Sequence, residues 1–248
     1  MPDRRLWLVA VVVLTITLCA PPAQAMHISE GILPAPSAAV WFAAAAPFVV
    51  WGLIAIRLRR ARQTNYMPTL AMVGAAVFLI SCMPIPIPGT GSCSHPCGTA
   101  LAAIIVGPAA SIVVATLALL FQALFMAHGG LTTLGANVVS MGVIGSLTGW
   151  AAFQVVRRLT GSAFAGAVAA GLLGDWATYA ATSFILASAL HGGESMWPMF
   201  LGIAGAFTPT QIPLGVLEGA LTGWAYRFIA RRRPELISPQ LSARGTQP

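Results

Sequence analysis

The sequence predicts an all-α polytopic membrane protein, and three observations carry that expectation. Of 248 residues 57% are hydrophobic and only 8% are charged, with a mean hydropathy of +0.82. A soluble domain of this size does not carry so much apolar surface. Second, the apolar residues run in stretches of roughly twenty, enough to cross a hydrocarbon core of about 30 Å. Third, all 13 basic residues are arginines, gathered in short clusters between those stretches. That distribution sets membrane orientation, and it lacks the broad basic face of a nucleic-acid surface.

Residues 1–25 have the parts of a signal peptide: Arg4-Arg5, an apolar run from Leu6 to Cys19, and the small-residue exit Ala23-Gln24-Ala25. The run is about fourteen residues, short for a span. A retained N-terminal anchor is the alternative, and Leu18 argues against a lipoprotein cysteine at Cys19. Cleavage after Ala25 would start the mature chain at Met26-His27, with a free amine beside a histidine. The Met26 amine, the His27 backbone nitrogen and the His27 imidazole can grip one ion through fused five- and six-membered rings. Late divalent ions such as Ni, Cu and Co accept such a planar nitrogen set, whereas Zn prefers a tetrahedron and Mg or Ca prefer oxygen. One position remains open.

Beyond Met26 the apolar stretches cover residues 37–56, 67–83, 97–127, 133–156, 162–190 and 199–228. Read as six spans, with the N-terminus outside, they cannot put every arginine cluster in the cytoplasm. Those clusters are Arg57, Arg59, Arg60 and Arg62, then Arg157 and Arg158, then Arg227 and Arg231 to Arg233. The third stretch resolves the conflict. As one helix it would be about 45 Å long, and Gly107-Pro108 interrupts it. Splitting there gives a short element, 97–107, and a full span from 108, and all clusters fall inside. The expectation is therefore seven membrane elements with the third short, an element tolerated only when buried in protein or lining a cavity. The domain plan is a signal peptide (1–25), a transmembrane metal-binding domain (26–233) and a polar cytoplasmic tail (234–248) with no assigned fold.

This topology places the loop 84–97 outside, beside the mature N-terminus. Pro84, Pro86 and Pro88 impose an extended backbone, and Gly89-Thr90-Gly91 permits a reversal. The loop thereby delivers His95 to a defined place, where its imidazole is read as the fourth nitrogen of a square-planar site. Cys93 and Cys97 flank it. A thiolate site for Zn or Cu(I) is one reading, but the spacing matches no common zinc pattern; structural cysteines, including a disulfide between the two, are the favoured one. Cys82 reads as a small apolar residue.

Three segments carry a resemblance. Met-His-Ile-x-Glu-Gly-x-Leu at 26–33, Pro-Gly-Thr-Gly-Ser-Cys-Ser-His-Pro-Cys-Gly-Thr at 88–99 and Ala-His-Gly-Gly-Leu-Thr-Thr-Leu-Gly-Ala-Asn at 127–137 resemble the CbiM/NikM family. Those proteins are substrate-binding membrane subunits of energy-coupling-factor transporters for cobalt and nickel. The resemblance covers residue 26 to about residue 230. It implies metal ligation by Met26, His27 and His95, and a seven-helix fold with the N-terminal segment plugged into its centre. It also implies partners: a transmembrane coupling subunit, ATPase subunits and a small accessory membrane subunit. The cysteine-bearing loop is similar to the cobalt branch, with Co2+ as cargo, Ni2+ as the alternative and cobalamin synthesis as its use. Ser29 stands where the family often has Pro, and Glu30 where Asp is common.

Other polar groups have less definite readings. Glu30 could hydrogen-bond the ligating residues, as outer groups around metals do. Asp175 and Glu218 interrupt apolar stretches, where ionisable groups are costly; Asp175 is read as a support for the site or as structural, and Glu218 as structural or a partner contact. Asn137 and Gln211 read as interhelical hydrogen bonders rather than ligands. His128 and His191 each precede Gly-Gly in outer turns, which the glycines alone explain; a metal route past them is the lesser reading. The ladders Gly145/Gly149 and Gly215/Gly219/Gly223 read as internal packing, or as a groove for another subunit. No phosphate-binding loop motif occurs and there is no lysine, so ATP hydrolysis belongs to other chains. No His-Glu-x-x-His helix supports an intramembrane hydrolase, and a metal-independent structural or channel subunit would be indifferent to its N-terminal amine.

Overall fold

The computed structural model describes residues 24–25, 27–83, 85–87 and 92–237. Residues 1–23, Met26, Pro84, residues 88–91 and residues 238–248 lie outside the described residues, and with them most of the segment expected to be a signal peptide. In hydrocarbon a backbone must satisfy its own hydrogen bonds, so the apolar stretches fold as helices. Among the described residues there are seven helical segments: α1 (Ala35–Arg62), α2 (Tyr66–Ser81), α3 (Thr99–Val106), α4 (Pro108–Phe125), α5 (Leu134–Thr160), α6 (Ala163–Leu190) and α7 (Met196–Arg232). α1, α4, α5 and α7 are long and apolar enough to cross a membrane by length and composition. Phe48, Trp51, Phe121, Trp224 and Phe228 stand exposed on the outside of the bundle, a surface suited to lipid tails. The chain is an all-α polytopic membrane protein, as its composition predicts.

The break at Gly107-Pro108 is where the arginine count requires it. Gly107 takes a φ of 88°, and Pro108 opens α4 at a position where its missing N–H leaves no gap. α3 is only eight residues long and is buried along almost its whole length, as a short interrupted element must be. Its last carbonyl, on Val106, accepts from the Arg59 guanidinium and, at 3.3 Å, from the Tyr66 hydroxyl. Arg59, Arg60 and Arg62 close α1, Arg157 and Arg158 close α5, and Arg231 and Arg232 close α7. In those last turns they offset the negative end of each helix dipole. The ends of the three helices meet around one cavity of about 1280 Å³, lined by Arg59, Arg62, Gln154 and Arg233. The arginine clusters therefore share one end of the bundle.

Both glycine ladders are used in packing within the chain. A Cβ at Gly215 would sit 2.2 Å from Trp176 Nε1, and one at Gly219 would sit 2.8 Å from the Val168 carbonyl, so α7 lies directly on α6. On α5, Gly149 abuts Ala100 of α3 and Gly145 abuts Thr178 of α6. Val138–Gly145 of α5 is wound as a π-helix, a form concentrated at functional sites. It begins immediately after Asn137.

The proline-rich loop forms a small sheet on the bundle. β1 (Gln24–Ala25) pairs in parallel with β3 (Ser92–Ser94), which pairs antiparallel with β2 (Ile85–Ile87). The extended stretch at Ile85–Ile87 is that expected from the alternating prolines; the reversal expected at Gly89-Thr90-Gly91 lies outside the described residues. At the other end, the chain stays folded past Arg233, where the sequence suggested nothing. Pro234–Leu236 makes a 3-10 turn, and Ile237 packs against Phe153 and Tyr226. One apolar residue in a polar tail is too short a pattern to read.

Candidate metal centre

The N-terminal segment is inserted into the bundle by its apolar residues and held there by backbone hydrogen bonds. Ile28 and Leu33 are buried among Ala38, Ala136 and Ile185. The Ile28 N–H donates to Asn137 Oδ1 at 2.9 Å, and the Ile28 carbonyl accepts from Asn137 Nδ2 at 3.1 Å and from Thr133 Oγ1 at 2.5 Å. Asn137 thus grips this backbone as a neighbouring strand would. It is a holder of the terminal segment rather than the helix-to-helix bond expected.

The Gly-Gly after His128 does more than turn the chain. A Cβ on Gly129 would lie 3.2 Å from His27 Cβ, and one on Gly130 would lie 2.5 Å from Glu30 Oε2. The two glycines let the loop close over the inserted segment. The Glu30 carboxylate accepts from the Thr132 N–H at 3.1 Å, and hydrogen bonding from Thr132 lowers its pKa. Glu30 therefore fastens the His128 loop. Its side chain bonds that loop, not an imidazole as expected.

The hydrogen-bond network assigns the histidine tautomers. Ser81 Oγ donates to the Phe78 carbonyl and accepts from Gln122 Nε2 at 2.7 Å. Gln122 must then turn its oxygen to His27, whose Nε2–H donates across 3.1 Å. His27 Nδ1 is left with a lone pair, and Nδ1 is the atom that closes a six-membered ring with the His27 backbone nitrogen. Burial is the chief reason the His27 pKa lies well below its ordinary value, with His95 and His128 adding to it.

His95 is held from both sides. Before it, Ser94 Oγ meets the Tyr179 hydroxyl at 2.7 Å and accepts from Gln211 Nε2 at 2.9 Å. After it, both oxygens of Glu218 accept backbone N–H groups, from Cys97 at 2.7 Å and from Gly98 at 2.9 Å. Glu218 and Gln211 are thus supports of the His95 loop, roles that spacing could not assign because the partners lie more than a hundred residues away. His95 itself is fully buried. Its Nδ1 donates to the Pro96 carbonyl at 3.1 Å, and its Nε2 is buried with no hydrogen-bond partner. Burial draws its pKa down to about 4.

The rings of His27 and His95 lie 4.7 Å apart, centroid to centroid. His128 joins them, at 4.9 Å from His27 and 5.1 Å from His95. Its Nε2 is also buried and unpartnered, and burial lowers its pKa. One ligand nitrogen from each ring lies within 4.8 Å of the others. Three neutral imidazoles face one another, and the neutral form is the one that binds metal. His128 is the residue brought to His27 and His95 that spacing did not place there; its glycines, read as turn makers, were the signal of close approach to His27. His191 stays apart, its Nδ1 hydrogen-bonded to the Glu194 carbonyl.

Asp175 lies in a second group, with Cys97 and Glu218, whose ligand atoms also fall within 4.8 Å of one another. Cys97 carries a free, buried thiol, with its Sγ 4.0 Å from Asp175 Oδ1. Cys97 therefore does not form the disulfide that its spacing to Cys93 left open: Glu218 fixes the backbone at Cys97 and Gly98 so that the thiol meets Asp175. Cys82 is half-buried, and its Sγ accepts from Gln122 Nε2.

Fold and site together define a class: polytopic helical membrane proteins that gather potential metal ligands where an inserted N-terminal segment meets two loops. The chain belongs to the CbiM family, whose model, described as the cobalt uptake substrate-specific transmembrane region, matches residues 27–236. A cobalt transport protein CbiM of Geobacter sulfurreducens is 54% identical over 221 residues, covering 89% of this chain and 64% of that protein. The protein of the same name from Sorangium cellulosum is 50% identical over 212 residues, 86% of this chain and 94% of its own. The chain therefore spans less than two thirds of the first relative but nearly all of the second. Among solved structures, a transition metal transporter superposes with a TM-score of 0.72 at 26% identity, covering 89% of this chain and 100% of that one. A truncated transition metal transporter gives 0.71 at 27% identity, over 83% and 99%.

Proposed function

We propose that this chain is the substrate-capture subunit of an energy-coupling-factor transporter for Co2+. In this reading the signal peptide is cleaved after Ala25 and the mature N-terminus lies outside the cell, with the C-terminus in the cytoplasm. The Met26 amine, His27 backbone nitrogen and His27 Nδ1 then bind the ion in one plane, and His95 Nε2 completes the square. The observation that carries it is the pair of free nitrogens: Gln122 occupies His27 Nε2 and Pro96 occupies His95 Nδ1, leaving the two atoms that such a chelate needs.

Family membership supports cobalt over nickel as the cargo, and supply of the ion to cobalamin synthesis is the use this reading assigns to it. A transmembrane coupling subunit, ATPase subunits and a small accessory membrane subunit would complete the transporter and supply ATP-driven uptake. The arginine-rich end of the bundle is assigned to the cytoplasm by the positive-inside rule. Ni2+ remains the alternative cargo, since the same nitrogen set suits it.

The position of His128 favours a second arrangement, in which three imidazoles hold the ion without the terminal amine. Equilibrium dialysis of the purified protein against Co2+ separates the two. His95→Ala removes the ion held at the histidines in either case. His128→Ala keeps the equivalent with a nitrogen-ligand spectrum in the chelate reading and loses it in the three-imidazole reading, and a Ni2+ competition on the same samples ranks the cargoes.

A further inference from the structure

We infer that Cys97, Asp175 and Glu218 form a second transition-metal site, one that takes the ion after the histidines release it. The three residues come from three places, the His95 loop, α6 and α7, yet converge so that a thiol sulfur and two carboxyl oxygens lie within 4.8 Å of one another. All three are buried, Asp175 to 0% exposure. Glu218 has structural work, since its two oxygens bind the N–H groups of Cys97 and Gly98; each oxygen keeps a further lone pair. Asp175 has no such explanation. Its Oδ2 is buried with no hydrogen-bond partner; its carboxyl otherwise meets only the Cys97 sulfur, 4.0 Å from Oδ1, and the Glu218 carboxyl, with which it can share one proton. Two carboxyls side by side inside a membrane protein are costly unless they share a proton or bind a cation, and an aliphatic side chain in place of Asp175 would avoid that cost.

A divalent ion supplies what the cluster lacks. One thiolate and two carboxylates suit borderline ions such as Co2+ and Zn2+ and are too soft a set for Mg2+. On binding, the thiol proton and any carboxyl proton leave to water, so the site can load only when the 95–98 loop opens it. Cys97 stands two residues after His95 on that loop, so one movement of it would withdraw an imidazole and present a sulfur. This route inward rests on the capture reading, but the site itself is tested separately.

The test uses full-length protein, processed and purified in detergent under reducing conditions, with Cys19, Cys82 and Cys93 replaced by serine so that Cys97 is the sole thiol. Titration with Co2+ should reach two equivalents, and the second should bring a near-ultraviolet sulfur-to-cobalt charge-transfer band. Cys97→Ser should abolish that band, and Asp175→Asn should abolish the second equivalent, each leaving the first equivalent and its nitrogen-ligand spectrum intact. The retained first equivalent also proves folding, and either variant alone decides the point. A titration that stops at one equivalent with no sulfur band, or an Asp175→Asn protein that keeps both equivalents, overturns the inference. A sulfur band without the nitrogen-ligand spectrum would mark failure of the capture reading instead.

Discussion

Lowering the pH should weaken Co2+ binding by a slope that counts the protons the ion displaces. A mature Met26 ammonium, with an ordinary pKa of about 7.7–8.0, gives up one proton, and the His27 backbone amide gives up a second. The imidazoles give up none in this range. Burial lowers the pKa of His128, takes that of His27 well below its ordinary value and takes His95 to about 4, so the ion finds them neutral at pH 7. Each displaced proton changes affinity about tenfold per pH unit, or 1.36 kcal/mol. Two protons therefore predict a fall of about 100-fold per unit, and about a thousandfold from pH 7 to 5.5. Chelator competition gives the affinity at each pH, and calorimetry in buffers of different ionisation enthalpy counts the protons directly. A flat profile between pH 5.5 and 7 would refute the chelate and favour three imidazoles. A slope steepening below pH 6.5 would mean that the histidines are not held neutral.

Four further outcomes follow from named contacts. Gln122→Leu removes the acceptor that orients His27, and loss of such an outer partner should lower Co2+ affinity about 10–100-fold, measured by the same competition. Asn137→Ala removes both hydrogen bonds it makes to Ile28 and should release the inserted segment; at about 1–3 kcal/mol, roughly 5- to 150-fold in affinity, with protease sensitivity near residue 28 as an independent readout. Glu30→Gln keeps an acceptor for the Thr132 N–H on an exposed side chain, so its effect should be no more than about fivefold. Gly215→Ala drives a methyl into Trp176 and should destabilise the α6–α7 contact by about 1–3 kcal/mol, read as a lower thermal unfolding midpoint in detergent with metal stoichiometry unchanged.

Much of the fold was legible because hydrocarbon leaves a chain few choices. Long apolar runs had to be helices, and the arginine clusters, forced to one end, located the break at Gly107-Pro108. His27 and His95 were legible for a different reason, since each sits in a short local pattern. What stayed hidden was long-range. Gln122 and Asn137 look like ordinary polar residues in helices, and only folding brings them to His27 and Ile28, 95 and 109 residues away. Cys97 looked like half of a disulfide because its neighbour in sequence was Cys93, whereas its neighbour in space is Asp175. His128 was discounted because Gly129 and Gly130 explained the turn so well; their second use, close approach to His27 and Glu30, depends on a segment a hundred residues earlier.

The central claim is that the metal is held by the chain's own mature N-terminus, and one comparison tests it most directly. Co2+ content and affinity would be measured on purified protein whose N-terminus has been sequenced, beside a variant with one residue inserted before Met26. The account predicts a chain starting at Met26, one equivalent of Co2+ at the nitrogen site, and loss of that equivalent on insertion. Retention of the nitrogen-bound Co2+ after insertion, or a mature chain that does not begin at Met26, would contradict it.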